Sequence, residues 1–90
     1  QLTDPYKNAY YNGVLCERWA KAVLQRALPR GSEMAYDWIE KAMTWYAKAE
    51  AERPQGNDEA ILRWNTCVRM LTRNPHLRPR EAEAWEPSLE

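Results

Sequence analysis

Apolar and small residues return along this chain at intervals of three and four, the period of a helix that buries one face. In the first stretch they fall at Tyr6, Ala9, Tyr10, Gly13, Cys16, Ala20, Val23 and Ala27. Tyr11, Leu15 and Trp19 form a second row beside the first, so the apolar sector is wide enough to touch two neighbours. Asp4 can cap the free N–H groups of this helix, and Pro5 suits its first position, where no N–H is needed. The pattern predicts a helix over about 4–28, stopped at Leu28-Pro29 because proline disfavours helix at the residue before it.

The second stretch carries Ala35, Trp38, Ala42, Trp45 and Ala49 on one face, flanked by Ile39 and Tyr46. Alternating Ala and Trp lets a neighbouring helix approach at the alanines while the indoles fill the gaps, so Trp38 and Trp45 are expected to be largely buried at helix–helix contacts. This helix spans about 33–53, with Ser32 as cap and Pro54 and Gly56 as its end. A third, over about 58–73, is capped by Asn57 or Asp58. It presents Ala60, Ile61, Trp64, Cys67, Val68 and Leu71 before Asn74-Pro75 stops it. Trp64, Tyr10, Ala42 and Val68 are expected in the same core. Pro79 can open a short fourth helix over about 79–86, which is marginal without packing. No segment alternates as a half-buried strand does, and alanine outnumbers Val, Ile and Thr combined. The expected fold is all-α, one domain of antiparallel helix hairpins joined by short loops.

Residues 42–54 read Ala42-x3-Tyr46-x2-Ala49-x4-Pro54, which resembles the second helix of a tetratricopeptide repeat. Trp64-x2-Cys67-Val68-x2-Leu71 is similar to the first helix of such a unit, with Val68 in place of the family's glycine. The likeness covers roughly residues 33–74; the first helix is too long for the family and carries none of its frame. The resemblance implies the C-terminal segment of an α-solenoid array that serves as an interaction scaffold. An unrelated small three-helix bundle is the other reading of the same pattern. The start at Gln1, with neither initiator Met nor leader, reads as an excerpt from a longer protein.

Composition narrows the chemistry. The 90 residues hold 13 basic and 13 acidic side chains. A neutral total argues against a dedicated nucleic-acid binder. No apolar run approaches the roughly 20 residues of a membrane span. Two cysteines and one histidine are too few for a disulfide framework or a zinc site. If the first and third helices run parallel, Cys16 and Cys67 lie at a similar level, as two buried thiols acting as small apolar residues. His76 stands alone beside a helix end. No phosphate loop, no catalytic triad and no metal spacing is present, so the sequence reads as non-enzymatic and without a cofactor.

The charge is unevenly placed, with five Arg and no acid over residues 60–80 and four Glu over 81–90. Arg69 and Arg73 share a face, and Asn65 lies one turn before Arg69. This is a candidate site for an acidic peptide. In tetratricopeptide repeats one binding mode holds peptide carboxylates with Asn and basic residues, which by the resemblance adds Asn12 and Asn65. The expected function is a protein–protein interaction module that binds a peptide segment or a neighbouring part of its own protein. The alternative is a stand-alone bundle whose Arg-rich end binds nucleic acid or another polyanion. Trp85 is expected to dock on the body beside Leu77, with the tail's Glu residues near Arg69 or Arg73.

Overall fold

The computed structural model describes residues 4–26 and 28–78, and these form three helices: α1 (Pro5–Arg26), α2 (Gly31–Ala51) and α3 (Glu59–Arg73). The helix expected over 79–86 and the docking of Trp85 lie outside the described residues. The fold is all-α, a small three-helix bundle.

Local chemistry sets the helix ends. Asp4 Oδ1 accepts hydrogen bonds from the backbone N–H of Tyr6 (3.0 Å) and Lys7 (3.3 Å), which caps α1. Ser32 does not cap α2. The Gly31 N–H closes a turn on the Leu28 carbonyl at 2.9 Å and draws Gly31 into the first helical turn, so Arg30 stands at the cap position without a side-chain cap. An Arg30–Glu33 ion pair at 3.1 Å ties that turn instead. After α2 the chain reverses through Gly56, whose φ of +83° is a conformation that side chains disfavour. Asn57, rather than Asp58, caps α3: its Oδ1 accepts from the Glu59 N–H at 3.0 Å. The same oxygen accepts from the Tyr6 hydroxyl at 3.1 Å and pins this loop to the start of α1.

α1 and α2 form an antiparallel hairpin. Its seam sets Ala9, Gly13, Cys16, Ala20 and Val23 of α1 against Ala35, Ile39, Ala42, Tyr46 and Ala49 of α2, all buried. Such small residues let the two backbones approach closely. Trp38, Trp45 and Trp64 are partly buried and pack against this core, as does Tyr10, while Ala42 is fully enclosed and Val68 half-buried. An indole is too large for a seam of alanines, so the tryptophans cover its edges. The large side chains fully enclosed are Tyr46 and Ile39, together with one charged residue, Glu17.

α3 lies along one side of the hairpin and runs parallel to α1, burying Ala60 and Cys67. Beyond its end Leu77, only 5% exposed, turns back into the cluster that holds Val23, Ala35 and Ile39. The other side of the hairpin has no third helix among the described residues. There Trp19, from the second row of α1 expected to meet another neighbour, is 56% exposed, and Tyr11 of the same row is as exposed on the outer face of α1.

Candidate functional site

Two places on the bundle depart from simple core-and-surface order. The first is the charge beneath α3. Glu17 is 2% exposed, where an uncompensated carboxylate would be very costly. Its Oε1 accepts from the Tyr46 hydroxyl at 2.7 Å and from Arg63 Nη1 at 3.3 Å. Lys21 Nζ lies 3.1 Å from Oε2 and forms an ion pair with it. Arg63 also donates from Nε to the Tyr10 hydroxyl at 3.3 Å. Burial works against the Glu17 charge, but the Tyr46 hydroxyl, Lys21 and Arg63 outweigh it and hold the carboxyl below its ordinary range. Burial and the neighbouring Glu17 raise Tyr46 well above the usual tyrosine value and push the Cys67 thiol up to about 12.

Near neutral pH, then, Glu17 keeps its charge while Tyr46 and Cys67 keep their protons. None of the three is poised as a general acid, base or nucleophile. The cluster ties α3 to the hairpin through Arg63. Glu17 belongs to no chemical motif in the sequence. A signal was present, since Gly13, Val14 and Ala20 bracket this acid at helical spacing inside an apolar sector.

The second place is the side of the hairpin turned away from α3. Trp19, Val23 and Arg26 of α1, Leu28 of the turn, and Met34 and Trp38 of α2 line a groove of about 420 Å³. Trp19 and Trp38 stack with ring centroids 5.9 Å apart and planes 21° from parallel. Lys41 Nζ sits 4.9 Å from the centre of the Trp38 ring, and Lys48 Nζ lies 4.7 Å from that of Trp45. Leu28 and Met34 are each 39% exposed.

The residues singled out from the sequence do not form one cluster. Asn12 is half-buried on the Trp19 side of α1 and donates from Nδ2 to the Asn8 carbonyl at 2.9 Å. Asn65, Arg69 and Arg73 share the solvent face of α3, on the other side of the hairpin, where Arg69 Nη2 donates to Thr66 Oγ1 at 3.2 Å. Cys16 and Cys67 are both buried free thiols, and His76 is exposed.

Among the described residues no group of His, Cys, Asp and Glu is arranged to hold a metal ion, and no helix is long and apolar enough to cross a membrane. Comparison with protein-family models, with curated proteins and with solved structures finds no match to this chain.

Proposed function

We propose that this chain is a non-enzymatic helical interaction module, and that it binds another protein through the side of the α1–α2 hairpin turned away from α3. The groove around Trp19 carries this reading. Contiguous apolar surface rimmed by polar side chains marks interaction sites on soluble domains. Here Trp19, Leu28 and Met34 stay exposed around one groove, with the half-buried Trp38 among them. Burying a fully exposed apolar side chain contributes about 1.5–3 kcal/mol, and covering these partly exposed ones would contribute a fraction of that each.

The helical-repeat part of the proposal rests on Ala42, Tyr46 and Ala49, which are fully buried at the spacing of a tetratricopeptide unit. A solenoid unit is covered by neighbours on two sides. In this chain α3 takes one side of the hairpin, and the Trp19 side is where another helix would stack.

A second reading assigns binding of nucleic acid or another polyanion to the solvent face of α3, and the exposed Arg69 and Arg73 favour it. The two separate by position and by salt. A photo-crosslinking amino acid at position 19 should yield polypeptide adducts that persist at high ionic strength, whereas position 69 should yield none. Nucleic-acid adducts at position 69, lost as salt rises, would favour the second reading. Adducts at neither position would remove both.

A further inference from the structure

We infer that the partner segment on the Trp19 side is an acidic amphipathic α-helix laid lengthwise between α1 and α2. This rests on the reading above that this side binds a protein. The first argument is one of shape. The seam joining α1 to α2 uses Ala35, Ile39, Ala42, Tyr46 and Ala49, spaced alternately four and three apart. One residue earlier on the same helix, Met34, Trp38, Lys41, Trp45 and Lys48 repeat that spacing on the side away from α3. On α1 the matching row is Asn12, Leu15, Trp19, Ala22 and Arg26. Alternate spacing of this kind presents one row of side chains along the full length of a helix, as a helix partner requires. Two such rows, one on each helix of the hairpin, bound a furrow on the side opposite α3. From Met34 to Lys48 the row is about 21 Å long at 1.5 Å per residue, enough for a helix of about four turns.

Charge is the second argument. Arg26, Lys41 and Lys48 stand along the furrow, and none of them forms an ion pair among the described residues. The ammonium groups of Lys41 and Lys48 rest over indole rings instead. Asp37 flanks the α2 row and Glu52 lines the same pocket as Trp45 and Lys48, so three cations against two acids leave a basic surplus of one. An occupant with apolar residues on its inner face would seat them against the stacked Trp19–Trp38 pair, beside Leu28 and Met34. Glu or Asp on its flanks would meet the three cations. Opposed charges of this sort set register and orientation, while the buried apolar anchors supply the affinity.

The test is a selection of displayed helical peptides, with randomised surface positions, on the immobilised chain. Enriched peptides should have more acids than bases, carry apolar residues at heptad spacing and become helical on binding, read by circular dichroism. Trp19→Ser should weaken them by about tenfold or more, which is 1.4 kcal/mol per tenfold. Lys41→Glu paired with Lys48→Glu should reverse the charge preference. Thermal melts of each variant check that the bundle is intact, and the charge pair tests the inference even if Trp19→Ser unfolds it.

Enrichment of basic or extended peptides, equal binding by Trp19→Ser, or no enrichment at all would overturn the inference. So would a concentration-dependent dimer in sedimentation that shields Trp19. Shielding of Trp19 that is relieved by deleting residues 79–90 would do the same. Polypeptide adducts at position 19 combined with any of these results leave the interaction reading standing and remove only the acidic helix.

Discussion

The Tyr46 ring occupies the space that a side chain at Gly13 would need: a Cβ placed on Gly13 would lie 2.5 Å from Tyr46 Cε1. The ring cannot withdraw, because Tyr46 is fully buried and its hydroxyl is bonded to Glu17 at 2.7 Å. One glycine thus admits the largest side chain of the core and, through it, the hydroxyl that helps to hold the buried carboxylate.

Gly13→Ala is accordingly expected to destabilise the bundle, although alanine favours helix by up to about 1 kcal/mol over glycine. Overpacking typically costs about 1–3 kcal/mol, which leaves a net loss of up to about 2 kcal/mol in urea unfolding. Tyr46→Leu removes the obstructing ring. The double variant should therefore be less damaged than the sum of the two single changes. Strict additivity would show that the ring is not what Gly13 accommodates.

Glu17 makes stability depend on pH in a defined direction. Its folded carboxyl titrates below the ordinary 4.5, so its contribution is complete above 4.5 and is lost as pH falls through the lower folded value. Glu17→Gln approximates the protonated side chain. The stability gap between wild type and this variant should be widest near neutral pH, narrow below 4.5 and close in stronger acid. A gap that widens on acidification would contradict the assigned ion pairs.

The two thiols should be silent in the native protein. Cys67 at about 12 holds on the order of a thousandfold less thiolate than a free cysteine at mildly alkaline pH. Burial likewise raises Cys16. A disulfide-exchange reagent is expected to modify neither until denaturant is added, and then both. Rapid reaction of either thiol in native buffer would mean that its cover opens readily.

Side chains of the seam and of the furrow should respond differently to truncation. Ile39→Ala empties a fully enclosed site and is expected to cost about 2–5 kcal/mol. Trp19→Ser, at a residue 56% exposed, forfeits mainly the stack on Trp38, worth about 0.5–1.5 kcal/mol. Chemical denaturation of the two variants compares them directly. A larger loss at Trp19 than at Ile39 would place the indole in the core and close the furrow.

Local sequence determined the three helices. The three-and-four recurrence of apolar residues, Asp4 and Asn57 at the caps, and proline or glycine in each connection all act within a few residues, so they can be read without knowing what lies opposite. The burial of Ala42, Tyr46 and Ala49 was legible in the same way. Which large side chains lie inside was decided only by tertiary structure. The alanine seam brings α1 and α2 so close that Tyr46 enters against Gly13, while Trp38 and Trp45 are left at the edges. Glu17 can be buried because Tyr46 and Arg63, 29 and 46 residues away, converge on it. The furrow, too, depends on the side of the hairpin to which α3 packs. Helix period records how apolar residues are spaced around one axis, but a residue's surroundings depend on how several axes are set against one another.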